Sequence, residues 1–376
     1  MQARGWIAGR TFTAEMPLLN LSQAAPMDPP PEAMRHAMAE MIVNDPGAHL
    51  YGPVLGMPEL REAVAQQWTD DYHGTVSADQ VAITSGCNQA FSAAIASLAH
   101  EGDNVIQPTP WYFNHRMWLD MSGIETRTLA CRDAMLPDVA EAESLIDART
   151  KAIILITPNN PTGAEYPEGL MRAFLQLARK HGIALIVDET YRDFHSSDDA
   201  PHDLFTDPDW DDTLIHLYSF SKAFRLTGHR VGAITASTSR MVQVEKFLDT
   251  VTVCPNQLGQ RAALYGIQHM KPWLQGQRLE ILARKAEVDR VTDALPGWER
   301  LGSGAYFAYL KHPFDIPSDL VAQRLVEEQS VLLLPGTMFA PTGTDGFAEA
   351  TLRVAFANAD AAGLTEMARR IARFAP

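Results

Sequence analysis

The sequence predicts an α/β protein with a large domain on a mainly parallel sheet and a smaller α/β domain at the C-terminal end. Two patterns carry this. Short continuous apolar runs alternate with helix-period segments from about residue 81 to 269. Such alternation implies crossover units between parallel strands buried on both faces. After about residue 270 a long charged helix and a new set of strands take over. The 376 residues allow roughly two or three domains at ~150 residues each.

The elements follow in order. Residues 1–31 hold Pro26, Pro29, Pro30 and Pro31. Proline lacks an N–H and disfavours helix in the residue before it, so this segment reads as an extended arm. A helix runs on to about Val43, and NDPGAHLYGPVLGMPE (44–59) is a loop rich in turn residues. LREAVAQQWTDDY (60–72) sets Leu60, Val64 and Trp68 on one helical face. VAIT (81–84) reads as a strand and 88–99 as a helix; NVIQ (104–107) is strand-like, with a helix near 112–121. AIILIT (152–157) and IALIVD (183–188) are strands flanking a helix at 168–180. TLIHLYS (213–219) and RVGAIT (230–235) are strands, followed by helices near 238–250 and 256–269. Beyond them come a helix at about 272–294, then AYFAYL, PSDLVAQRLVEEQ, VLLL, TLRVAF and a final helix at 360–374. The expected division is an arm and first helix (1–44) packing with the small domain, a large domain (45–270) and a small domain (271–376). Chain ends often lie close together, which is why the arm is placed there.

The chain carries 31 Lys+Arg against 46 Asp+Glu, a formal charge of −15. That balance argues against nucleic acid, which needs clustered basic residues, but leaves room for a local anion pocket. Cys87, Cys131 and Cys254 fit no zinc or CxxC spacing and are too few for a disulfide framework. A reducing compartment is expected. MQARGWIAGRTF lacks an apolar signal core and no apolar run is long enough for a bilayer, so the expectation is a cytoplasmic protein. His195, His202 and His216 lack metal-ligand spacing, and no metal site is expected. Met27, Met34, Met38 and Met41 read as packing residues.

Ligands of open parallel sheets bind at the carboxyl ends of strands, and several polar clusters sit there. Thr84-Ser85-Gly86-Cys87-Asn88 ends a strand and opens a helix, whose free N–H groups suit an anion; a plain strand-to-helix turn is the bland alternative. Pro158-Asn159-Asn160-Pro161-Thr162-Gly163 is either a turn or a source of amide donors. Asp188, at the end of an apolar strand, needs a cationic or donor partner. Lys222, in Ser219-Phe220-Ser221-Lys222, is either a solvated surface lysine or a nucleophilic amine. Arg230 suits bidentate phosphate recognition, and Arg353, in LRVAF, suits a carboxylate.

The ordered set SGCNQA, NNPTG, DETY, SFSK, Arg230 and LRVAF resembles the class I/II pyridoxal-phosphate aminotransferases of fold type I, from YGPVLGMPELR at residue 51 to Arg353. The resemblance implies a large domain with a central, mostly parallel seven-stranded sheet between helices. It implies pyridoxal 5'-phosphate as cofactor and transfer of an amino group between an L-amino acid and a 2-oxo acid by ping-pong kinetics. Lys222 would form the Schiff base and then move the α-proton. Asp188 would face the pyridine nitrogen, Asn160 and Tyr191 the phenolic oxygen, and Tyr112, or its neighbour Trp111, would stack on the ring. The phosphate would meet the N–H groups of Gly86 and Cys87, with Ser85, Ser219 and Arg230 beside it. Tyr51 would reach the phosphate of a neighbouring subunit, implying a homodimer with shared active sites. Arg353 and Asn160 would bind substrate, and Ala24 and Ala25 would close over it.

The chain departs from the family pattern at Arg225, His115, Ala25, Thr157 and Phe339-Ala340. Arg225 is expected to make a structural ion pair rather than to serve the phosphate. The apolar rim of Trp111, Phe113 and Phe339 favours neutral or aromatic side chains, and no second arginine is assigned to a side-chain carboxylate. A cysteine-type C–S β-lyase on the same scaffold is the nearest rival, because the same residues generate the carbanion. A nicotinamide oxidoreductase lacks its GxGxxG after any expected strand. A non-catalytic regulator would need a DNA-binding segment that the short, Pro-rich arm does not offer.

Overall fold

The computed structural model describes residues 2–343 and 346–376. Its strands, among the described residues, are β1 (Leu19–Asn20), β2 (Val81–Thr84), β3 (Asn104–Thr109), β4 (Glu125–Ala130), β5 (Thr150–Ile156), β6 (Ala184–Asp188), β7 (Leu214–Ser219), β8 (Gly232–Thr235), β9 (Glu299–Gly304), β10 (Phe307–Lys311), β11 (Val331–Leu332), β12 (Leu334–Pro335) and β13 (Thr351–Ala355).

Side chains along a strand alternate between faces, and the large sheet shows why its strands read as unbroken apolar runs. Ile153, Leu155, Leu185, Val187 and Leu214 enter one core, and Ala152, Ile154, Ala184, Ile186, Ile215 and Leu217 enter the core on the opposite face. Seven strands stand in the order β2-β8-β7-β6-β5-β3-β4. All pairings are parallel except those of β8, which runs antiparallel to both β2 and β7. This reversal matters for the site. Gly232, at the start of β8, pairs with Thr84 and Ser219, at the ends of β2 and β7. The residues just before β8 therefore meet the residues just after its neighbours.

The second sheet, β12-β13-β10-β9, is antiparallel, and its β10 and β13 supply Phe307, Leu310, Leu352 and Val354 to a separate apolar cluster that also takes in Leu21, Tyr191 and Phe194. The long helix Lys271–Asp293 contributes Ile281, Val288 and Val291 to that cluster.

Three elements differ from the sequence expectation. The arm is not extended throughout: it opens with a short helix, Gln2–Ile7. Its β1 pairs in parallel with β11, Leu21 exchanges backbone bonds with Leu332 and Ala355, and Arg370 donates to the carbonyl of Pro17. The helix Glu32–Asn44, expected to join the small domain, instead packs against Gln257–His269, because Met34 and Met38 share a face and bury it in the large-sheet cluster. Strand β4, ETRTLA, had no apolar signature because it is the sheet's edge and most of its side chains stay partly or fully exposed.

Candidate active site

One cavity gathers most of the residues singled out from the sequence: Cys87, Tyr112, Asn160, Asp188, Tyr191, Ser219, Lys222 and Arg230. The carboxyl ends of β2, β3, β5, β6 and β7 supply seven of them, directly or in the turn that follows. Arg230 completes the set because β8 is reversed. Its backbone is left-handed at φ 52°, so the expected strand 230–235 begins only at Gly232.

Lys222 lies in the first turn after β7, partly buried, and its amine is hydrogen-bonded to no described residue. Burial, with Arg230 and Arg353 adding like charge, pushes it down to about 8. Its Nζ stands 5.9 Å from the Tyr191 ring centre. Tyr191 donates its hydroxyl to the carbonyl of Ala24 at 3.3 Å.

Asp188 is buried at the end of β6. Burial would raise its pKa, but His115, at 3.3 Å from Oδ2, and the Thr190 N–H, at 3.0 Å from Oδ1, outweigh it and hold the carboxylate below its ordinary range. His115 is itself buried and stacked on Phe91 at 3.8 Å. Along the chain the next residue, Glu189, points the other way. It accepts from Tyr72 and lies 2.8 Å from His216 and 3.3 Å from His202. Two of the three noted histidines thus serve a buried acid behind the sheet. Among the described residues no cluster of His, Cys, Asp and Glu could hold a metal.

The anion end corrects part of the sequence expectation. The Gly86 N–H donates to the carbonyl of Thr84 at 2.8 Å, and the Ser85 N–H to Gln89 Oε1 at 2.6 Å, so both are already committed. The free donors are the N–H groups of Cys87 and Asn88, at the start of helix Cys87–Ala96. Gly86 instead provides room. At φ +83° it lets Arg230 approach so closely that an added Cβ would lie 2.2 Å from Nη2. Arg230 Nη1 donates to Ser221 Oγ at 3.4 Å, and the Ser221 N–H donates to Ser219 Oγ at 3.3 Å.

Tyr112 lines the cavity, its hydroxyl donating to Asn88 Oδ1 at 3.4 Å. Trp111 is spent elsewhere, bonded to the carbonyls of Met338 and Phe339. Asn88, Thr190 and Ser221 were not singled out from the sequence, although each lies inside a quoted motif.

A second cavity adjoins the first and shares Tyr112, Asn160, Tyr191 and Lys222 with it. Arg353, in the middle of β13 and paired with Tyr309 and Leu334, reaches it from the small sheet. Its Nη1 donates to Asn160 Oδ1 at 2.9 Å, its Nη2 to the carbonyl of Ser22 at 2.6 Å, and its buried Nε has no partner among the described residues. Burial pushes this guanidinium down to about 10. Ala24 and Ala25 line the same cavity, and Asn358 holds the Ala25 carbonyl at 2.7 Å. Arg225 points elsewhere, pairing with Asp28 at 3.3 Å and Gln277 at 2.6 Å. Tyr51 is 86% exposed and lines neither cavity.

Comparison with known proteins agrees with this geometry. The family described as aminotransferase class I and II matches residues 16–371. The aromatic aminotransferase ISS1 of Arabidopsis thaliana is 28% identical across 99% of this chain and 95% of its own. The aspartate aminotransferase of Thermotoga maritima is 28% identical across 87% of this chain and 85% of its own. YbdL of Escherichia coli, for which a methionine aminotransferase function was identified, superposes with a TM-score of 0.89. At 24% identity, over 99% of this chain and 96% of that one, it speaks for the fold alone. The chain therefore belongs to the class I and II aminotransferases, pyridoxal-phosphate-dependent transaminases of fold type I that act on amino acids and 2-oxo acids.

Proposed function

We propose that Lys222 bonds the cofactor as a Schiff base and then serves as the base at the substrate α-carbon. The observation that carries this is its place in the cavity beside Asp188, Tyr191 and Arg230, with an amine pushed down to about 8 and free of hydrogen bonds to described residues. Near that pH a large share of the amine is neutral, and only the neutral form attacks a carbonyl carbon or accepts a proton.

The residues fit pyridoxal phosphate. Arg230, Ser219, Ser221 and the N–H groups of Cys87 and Asn88 suit a phosphate at a helix N-terminus. The space that Gly86 leaves for Arg230 would be filled by any Cβ. When bound, the cofactor supplies a carbonyl that takes up the amino group and a ring that withdraws electrons from the α-carbon.

The remaining roles fall to this chain's own groups. Asp188, kept ionised by His115 and Thr190, faces the pyridine nitrogen and holds its proton in place. Asn160 has its Oδ1 committed to Arg353, so its amide N–H is left to donate to the phenolic oxygen, together with the Tyr191 hydroxyl. Tyr112 covers the ring. Arg353, fixed in orientation by Asn160 and Ser22, takes the α-carboxylate. Lys222 Nζ, once displaced from its covalent role, moves the α-proton. The family relatives are transaminases, and the lyase rival has no observation in its favour.

The same reading assigns a homodimer. Exposed Ile42, Val43, Leu50 and Tyr51 form an apolar stretch flanking the turn Pro46–His49. Covering it by a second copy would carry Tyr51 to the partner's phosphate. The domain boundaries near 44 and 270, and a cytoplasmic location consistent with three free cysteines, belong to this proposal too. Its direct test is borohydride reduction of the holoenzyme followed by peptide mass mapping. Cofactor mass on the peptide containing Lys222 is expected; cofactor mass on another lysine would overturn the assignment.

A further inference from the structure

Resting on the transaminase reading, we infer that Arg4 reads the distal end of the substrate and favours amino acids whose side chain ends in an anion. Arg4 lies on the helix Gln2–Ile7 and lines the cavity that also holds Arg353. An exposed arginine on a helix is ordinarily just solvated. Three observations set this one apart.

The first is placement. The helix is fixed to the body of the protein: Ala3 is buried in the large core, Trp6 and Ile7 pack against it, and Arg10 pairs with Glu327 at 2.5 Å. Arg4 is therefore held at the cavity rather than carried on a frayed end.

The second is charge. The described residues lining this cavity include three cations, Arg4, Lys222 and Arg353, and no carboxylate. That is unusual in a chain of net charge −15. Lys222 is assigned to the cofactor and Arg353 to the α-carboxylate. Arg4 has no hydrogen bond or ion pair to any described residue, so it is the spare cation.

The third is the wall. Ile7, Phe113, Leu332 and Leu334 line the same cavity as Arg4 and Arg353. A short apolar linker would lie against them, with one carboxylate at Arg353 and a second at Arg4. The expectation from the sequence, a neutral or aromatic side chain, rested on the apolar residues alone. It had no reason to bring residue 4 to a site built around residues 86 to 353.

The test compares kcat/KM of the full-length holoenzyme for L-glutamate and L-methionine, which are similar in length and differ in distal charge. In Arg4→Gln the glutamate-to-methionine ratio is expected to fall about tenfold or more, the size of one lost charge-assisted hydrogen bond. Arg4→Lys should restore part of it, and Arg4→Glu should lower it further. An unchanged ratio, an equal loss with both substrates, or a wild type active on methionine but not glutamate overturns the inference and leaves the transaminase intact. A wild type inert toward every L-amino acid overturns the transaminase reading itself.

Discussion

His115 Nε2 stands 3.3 Å from Asp188 Oδ2, with both side chains buried. The pair joins the first turn of helix Phe113–Met121 to the end of β6 and makes a charged carboxylate tolerable in the interior. Without His115, burial would act on Asp188 with less opposition and raise its pKa.

The His115→Phe enzyme should therefore lose activity at higher pH than wild type as the solution is acidified. Asp188 must be ionised to hold a proton on the ring nitrogen, and its pKa is depressed in the intact site. Removing a depressing contact moves the acid limb of kcat/KM upward by about one pH unit. A pH–rate profile with its acid limb in place would show that Thr190 suffices.

Gly86→Ala should weaken cofactor binding. The new Cβ would lie 2.2 Å from Arg230 Nη2, on a backbone at φ +83° that side chains rarely adopt. Arg230 must move off, and the dissociation constant for pyridoxal phosphate should rise about tenfold or more, as expected for losing one charge-assisted contact. Fluorescence titration of the cofactor-free protein measures this directly, and unchanged affinity would dismiss Arg230 as a phosphate ligand.

Arg353→Gln should lower kcat/KM for all α-amino acids by roughly 10- to 100-fold while leaving cofactor affinity near wild type. Steady-state rates on several donors separate this from Arg4→Gln, whose effect depends on side-chain charge. Selective loss toward one donor only would contradict the assignment of Arg353 to the common carboxylate.

Lys222→Met should stabilise the cofactor-free protein. The folded-state value of about 8 lies below the ordinary 10.5. Between those values the unfolded chain binds the extra proton, so wild-type stability climbs as pH rises from about 8 to 10.5, and the penalty is complete below 8. The variant's advantage should be on the order of 3 kcal/mol at pH 7 and vanish above the upper value. Urea denaturation at the two pH values checks it; a variant less stable at pH 7 would show that the lysine is not held at a cost.

The parallel core strands were legible in the sequence because β5, β6 and β7 are apolar on both faces, and the set that lines the cavity because its motifs follow strand ends in order. What escaped depends on contacts distant in sequence. Strand β4 is polar and exists through its ladder with β3. The helix Gln2–Ile7 is too short to announce itself by periodicity and is held by packing. The Gly86 N–H was read as free because turn sequence does not reveal that the Thr84 carbonyl takes it. Arg225 was expected to pair structurally, and its partners Asp28 and Gln277 lie far from it on either side in the sequence.

The central claim is that Lys222 is the covalent and proton-moving centre of a transaminase. It is tested most directly by the visible spectrum of the protein with pyridoxal phosphate, followed through addition of an L-amino acid and then a 2-oxo acid. The account predicts a yellow band that is absent in Lys222→Ala, bleached by the amino acid and restored by the 2-oxo acid. A band independent of Lys222, or one bleached with release of ammonia and not restored, would contradict it.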